Sequence, residues 1–390
     1  MHKALVILAL FTMSHAFAVH KLKFELKETP INLAHYDPRL TIDASVSADG
    51  QFFAQVSQAG PVFLYNLAHP NKVKTVVMPN EKIGEIFLSV AFSPTGRFVI
   101  IDSTLPNAAL LEHGMLKILD TASGQIIAEF RTSIFAQDGH STYAFSPSDK
   151  YVALVLDNKS TGEIVSIFDL DTRKPRDLEI RFSCFIGALV FDTSENILAI
   201  KDICEGDINI WDIKKNQAIT KISQTLDFSD IFYSPIPALT MWGNNNYLAE
   251  HSTMQNLMQV WDINTKENIF QTSWLDFLPI LTSPDRKSLV IADVFGQINI
   301  LQAQNTTILT ATPFETFDMV GAASYNPQGN LLAVASVQGE VALLNNINYS
   351  TCGEADTADN SSVVQFAFNS QNSFITLYDS GLLSLWRISN

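Results

Sequence analysis

Outside the N-terminal 18 residues, the side chains best suited to proton transfer or metal binding are six histidines, His20, His35, His69, His113, His140 and His251, and three cysteines, Cys184, Cys204 and Cys352. None stands in the close His-x-His or Cys-x-x-Cys spacing of a metal site. The nearest approach to a constellation is His35, His113, His140 and His251, with Glu112, Asp138 and Glu250 near them in sequence. Gathered on one face of a fold, that set could hold a divalent ion or act as a general base, but ordinary polar loop residues give the same list. No Gly-x-Ser-x-Gly elbow, phosphate loop or dinucleotide fingerprint is present. The expectation is a protein that is not an enzyme and holds no metal and no cofactor.

The elements that must position these residues are read best from Leu189 to Ile213. Val190 and Phe191 end one apolar run, Asp192 to Asn196 supply a turn, and Ile197 to Ile200 begin a second run. After a turn at Gly206, Ile208, Ile210 and Ile213 punctuate a stretch through Trp211 and Asp212. Alternation with period two between turn residues makes three antiparallel strands, because successive side chains point to opposite faces. Hairpin partners sit symmetrically about their turn. Phe191 and Ile197 do so, and Cys184 and Cys204 share the same centre. Those two cysteines either form a disulfide or are two buried small apolar residues. Cys352 is then unpaired, in a polar loop over 348–362.

This three-strand set recurs eight times. Its first turn falls at Ser47-Ala48-Asp49-Gly50, Ser93-Pro94-Thr95-Gly96, Ser146-Pro147-Ser148-Asp149, Asp192 to Glu195, Trp242 to Asn245, Ser283-Pro284-Asp285, Asn326-Pro327-Gln328-Gly329 and Asn369-Ser370-Gln371. Successive copies are 41 to 53 residues apart. The turn before the third strand falls at Gly60, Gly114, Gly162, Gly206, Asn256, Gly296, Gly339 and Gly381, where a tight connection often demands positive φ. A period near 45 with several short strands per unit predicts an all-β fold, a single β-propeller over residues 19–390.

The pairs Trp211-Asp212 and Trp261-Asp262, with weaker copies at Phe168-Asp169 and Leu119-Asp120, make the chain resemble the WD-repeat family. The turns at Ser93 to Gly96 and Asn326 to Gly329 are similar to that family's Ser-Pro-Asp-Gly turn. The likeness covers residues 40 to 390 and departs in one respect. The family's glycine-histidine opening is missing, since Gly139-His140 lies too close to Ser146-Pro147, so its His-centred hydrogen-bond network is not carried over. The resemblance implies a protein-binding role.

Each unit needs an outer fourth strand, as Lys72 to Met78 and Gln125 to Arg131 supply for the first two. The last copy ends at Ile388, with no room for one. An isolated strand at residues 21 to 28, with Leu22, Phe24 and Leu26 alternating, fills that gap and closes the ring. Eight four-stranded blades are expected; seven remain open if the first or the fifth copy is irregular. Ahead of this strand, Lys3, an apolar run from Ala4 to Met13 and Ala16-Phe17-Ala18 read as a secretory signal peptide over 1–18. The run is too short for a membrane anchor. An exported protein, periplasmic or extracellular, is expected, with no membrane insertion once the signal is cleaved. Sequons at Asn158, Asn305, Asn348 and Asn360 matter only in a glycosylating host.

A formal charge of −15 repels phosphate backbones, so nucleic acid is not an expected partner. In the connections leading into first strands, Phe135 stands near Asp138, Asp227 adjoins Phe228, Trp274 and Phe277 flank Asp276, and Phe317 adjoins Asp318. Four such connections on one rim would combine aromatic anchors with negative charge, the composition of a protein or peptide docking surface. The other reading turns the aromatics inward to cement neighbouring blades. The expected function is thus a monomeric interaction scaffold, with a channel enzyme or small-ligand binder as the alternative.

Overall fold

A short apolar run bounded by turn residues can bury its faces only by pairing and stacking, and the computed structural model shows both around a closed circle. It describes residues 24–33, 37, 40–57, 60–105, 114–132, 143–158, 162–180, 186–202, 206–223, 239–243, 246–252, 257–273, 280–292, 295–303, 308–313, 319–357 and 361–389. Apart from a short 3-10 turn at Glu81–Ile83, every regular element among them is a β-strand. Six antiparallel sheets have four strands each. A seventh has eight and divides into two sets of four, joined by the single pair of Leu156 with Thr132. The described strands therefore fall into eight four-stranded units. The fifth is complete at Leu239–Trp242, Tyr247–Ser252, Leu257–Asp262 and Asn268–Ser273, although its first turn matches the repeat poorly.

The last unit takes Val363–Ser370, Ser373–Tyr378 and Leu383–Ser389 from the C-terminal end and Glu25–Ile31 from the N-terminal end. Pairing runs from Glu25 with Ser389 to Ile31 with Leu383, so the closing strand extends three residues beyond the expected limit at 28. Pro30 is tolerated opposite Ser384 because an outermost strand has one edge that needs no ladder hydrogen bond. The Tyr378 hydroxyl donates to Glu28 Oε1 at 2.5 Å, and the Phe24 N–H donates to the Cys352 carbonyl of the seventh unit at 2.7 Å.

Both faces of each unit are apolar, and each packs on a neighbour. Val56 and Leu64 of the first unit meet Val90 and Ile101 of the second, and Ile100 and Leu116 of the second meet Val152 and Phe168 of the third. Phe53 and Tyr65 complete the circle against Leu377 and Leu383 of the last. Each fully buried side chain of this kind contributes about 1.5–3 kcal/mol. First strands meet one another nearest the axis, and there Gln365 bonds both ways to Val46, accepting from its N–H at 3.0 Å and donating to its carbonyl at 2.8 Å.

Repeated turn residues have repeated tasks. Ser47, Ser93, Ser146 and Ser283 accept from the backbone N–H five residues on, as do Asp192 and Asn326 with their side-chain oxygens. The acid of each Trp-Asp-like pair caps the turn to the outer strand: Asp212 accepts from the N–H groups of Lys214 and Lys215, and Asp262 from those of Asn264 and Thr265. The Lys215 N–H, foremost, holds the Asp212 carboxyl below its ordinary range.

Three expectations need correction. Gly114 and Gly162 are not turn residues but the first residues of strands, paired with Thr104 and Asn158, because those hairpins run longer. Cys352 is not in a loop: it lies in Thr351–Asp356, the outer strand of the seventh unit, buried, with its thiol 3.3 Å from the Leu343 carbonyl. Burial pushes that thiol up, which makes it unreactive. His251 and Glu250 belong to the strand Tyr247–Ser252 rather than to a connection.

Candidate functional site

In an antiparallel unit the turns after the first and third strands share one end of the ring. The connections after the second strand, and from the fourth to the next unit, share the other, the loop end. Among the described residues, the tight-turn end is closely packed. A Cβ on Gly50, at φ +64°, would lie 2.9 Å from Asn369 Cβ of the neighbouring unit. Buried Asp149 accepts from Ser93 and Thr95 of the second unit, and Glu195 accepts from the Ser148 N–H at 2.6 Å.

The loop end differs in its exposed apolar surface. Among the described residues, eight of the thirteen exposed large apolar side chains lie there, and seven of them, Leu40, Ile42, Met78, Ile83, Ile86, Val364 and Leu382, belong to the last, first and second units, which are consecutive. Alternation marks Ile42 and Val364 as half-buried, yet each is 50% exposed. The cause is a β-bulge at the same place in both first strands, between Thr41 and Asp43 and between Val363 and Gln365, which leaves the extra residue unpaired.

Ionisable groups are also concentrated towards this end. Asp43 accepts from the Val90 N–H at 2.9 Å across the first and second units, and burial raises its pKa. Asp102, in Phe98–Thr104, is pushed up to about 7 by burial, and its Oδ1 has no hydrogen-bond partner. Tyr143 of the third unit is raised by its own burial and by the charges of Asp102 and Asp43. Two buried ion pairs tie segments together. Lys117 lies 2.8 Å from Glu85, which also accepts from Ser103 at 2.9 Å and from the Asn80 N–H at 2.8 Å. Lys201 of the fourth unit lies 2.7 Å from Glu250 of the fifth and donates to the Gly206 carbonyl at 2.8 Å. Burial raises Glu250 and Lys201 opposes it. Glu250 is thus committed to a structural pair, and the described residues contain no group of three or more His, Cys, Asp or Glu able to hold a metal ion.

On the axis, at the tight-turn end, a cavity of about 540 Å³ is lined by Ser45, Ala91, Ser324, Gln365 and neighbouring residues of five units. Among the described residues its lining has hydroxyls and amides but no carboxylate, imidazole, amine or thiol. It can accept or donate hydrogen bonds and supplies no strong general acid or base.

All nine rim residues, Phe135, Asp138, Asp227, Phe228, Trp274, Asp276, Phe277, Phe317 and Asp318, lie outside the described residues, as do His35, His113, His140, Cys184 and Cys204. Ile42, Ile86 and Val364 were not legible as a surface. For Ile42 and Val364 the signal that could have found them is the bulge, which needs a register that sequence alone does not provide; Ile86 is instead the first residue of its strand, paired with Thr104.

No family model matches the chain, and no curated protein matches it. Solved structures do. The C-terminal WD40 domain of Sif2 is similar at a TM-score of 0.63 and 12% identity, over 95% of this chain and 99% of that one. The computationally designed Ika8 protein is similar at a TM-score of 0.60 and 14% identity, over 92% and 99%. With overlap along nearly the whole of both chains, and with Asp212 and Asp262 capping the turns where the WD pairs stand, the protein is a WD-like β-propeller.

Proposed function

We propose that this protein is an exported, non-enzymatic interaction scaffold that docks a protein or peptide on the loop end of its ring. A WD-like propeller is compatible with that role, although a fold does not by itself assign one. The observation that carries the reading is the group of exposed apolar side chains around Ile42, Ile86 and Val364, since contiguous apolar surface on a water-soluble body marks an interaction site. The nine aromatic and acidic rim residues, which lie outside the described residues, are the sequence's own candidates for a docking surface and would add to this one. The Lys3 to Ala18 segment supports export.

The test is affinity capture of the mature chain from its own exported fraction, with Trp274→Glu/Phe277→Glu as the control. A partner should be recovered by the wild type and lost by a variant that keeps its far-ultraviolet circular dichroism and melting temperature. Equal recovery by both removes this rim as the contact. Purified protein beginning at Met1 rather than after Ala18 removes the export step.

A further inference from the structure

Away from the axis, the close packing of the tight-turn end is interrupted between the sixth and seventh units. The third and fourth units send a carboxylate across to their predecessors, Asp149 to Ser93 and Thr95, and Glu195 to the Ser148 N–H. Gly329 holds that turn position in the seventh unit, at φ +69°, and has no side chain to send. A cleft of about 330 Å³ remains, and every residue that lines it is described. Its walls include Asp285, Lys287 and Gln302 of the sixth unit and Tyr325, Gln328 and Tyr349 of the seventh. Ligand pockets begin at about this volume, roughly 300 Å³.

Tyr349 is held in that wall against its backbone preference. The same left-handed turn position is taken by Gly124, Arg173, Asn216 and Lys266 in the second to fifth units. The seventh unit puts an aromatic there, at φ +55°, and buries it with its hydroxyl 3.0 Å from that of Tyr325. Departures of this kind collect at ligand sites. Whichever tyrosine donates in that bond, the other keeps an O–H to offer. Burial, foremost, with Tyr349 and Asp285 beside it, raises Tyr325, which therefore keeps its proton. Gln302 pairs with Ser288, at the place where Asp212 and Asp262 cap turns in the fourth and fifth units. Among the described residues its amide has no hydrogen-bond partner. The charged groups of the lining, Asp285 and Lys287, lie 3.6 Å apart and offset one another. Asp285 also accepts from the Ser283 hydroxyl at 2.7 Å and the Lys287 N–H at 3.1 Å.

We infer that the cleft between the sixth and seventh units binds a small neutral polyhydroxylated ligand, of the size of one sugar ring. Amides and phenols both donate and accept, and so do alcohol hydroxyls, which can satisfy Gln302 and the tyrosine pair together. A carboxylate only accepts and an ammonium only donates, and the lining has no net charge to attract either. The site lies at the opposite end of the ring from the proposed docking surface and shares no residue with it.

The probes are methyl α-D-glucoside, methyl α-D-mannoside and methyl β-D-galactoside, with sodium acetate and glycine as charged comparators. Each is titrated against the full mature chain by saturation-transfer NMR. At least one glycoside should bind in the millimolar range, and more tightly than acetate or glycine. Gln302→Ala should weaken that binding by about tenfold or more, and Tyr325→Phe/Tyr349→Phe, which keeps both rings and removes both hydroxyls, should do the same. Lys215→Ala, an exposed change in the corresponding turn of the fourth unit, should leave it unchanged. Circular dichroism and melting temperature check each fold; if the double variant does not fold, Gln302→Ala, at a part-exposed position, decides. The inference is overturned if no glycoside binds, if Gln302→Ala binds as well as the wild type, or if acetate or glycine binds more tightly than every glycoside. None of these results touches the scaffold proposal, whose capture test reads the other end of the ring.

Discussion

Asp102 offers a direct test of the packing at the loop end, through Asp102→Asn. Its carboxyl titrates near 7 when folded, against an ordinary 3.8, because burial penalises the charged form and Oδ1 has no partner. The folded chain therefore holds a proton that the unfolded chain releases between those values. The group costs nothing below pH 3.8; its penalty grows as pH rises and is complete above about 7. At about 1.4 kcal/mol per unit, the ionised form destabilises the fold by roughly 4 kcal/mol. With an unfolding entropy of roughly 2.1 cal/mol/K per residue, the whole chain gains about 0.8 kcal/mol/K, so this corresponds to about 5 °C. Asparagine is nearly isosteric and never ionises. Thermal melts of wild type and variant should agree within about 1 kcal/mol at pH 4 and separate by roughly 2–4 kcal/mol, the variant higher, at pH 8. Parallel curves from pH 4 to 8, or a less stable variant at pH 8, would refute the buried carboxyl with its unpartnered Oδ1.

Two further outcomes test how the units are joined. Lys201→Met should destabilise by about 3–5 kcal/mol, because it strands buried Glu250; adding Glu250→Met should restore much of that loss, measured by urea unfolding of both variants. Lys27→Pro places a second proline in the closing strand, where Lys27 pairs with Arg387 one residue out of phase with Pro30 and so directs its N–H into the ladder, and should expose the edge of Leu383–Ser389. Light scattering on warming should then report aggregation at a lower temperature than for the wild type, and an unchanged onset would show that the N-terminal strand is dispensable.

Much of this fold could be read before any coordinates, because its repeated parts are held by local chemistry. Ser93 and Asp192 cap backbone N–H groups five residues on, so residue type and spacing alone reveal the turns. The outer strands were harder. Thr351–Asp356 has only Cys352 and Ala355 as apolar residues, and a half-exposed strand with that content reads as a loop. Ile42 and Val364 fit the alternation of buried positions, and only an unpaired bulge residue turns them to solvent. Asp102 marks the polar end of the Phe98 to Ile101 run in sequence, yet the strand continues to Thr104 and keeps the acid inside. The rim aromatics depend on long-range placement of their connections, which no local pattern encodes.

Glu25 lies opposite Ser389 across the seam, and both sit where the third strands finish, at the tight-turn end and remote from the loop end. A tether or fused module joined just beyond Ser389 therefore leaves from the tight-turn end. Immobilised from that side, the molecule presents its loop end, with the exposed Ile42, Ile86 and Val364, to the surrounding solution.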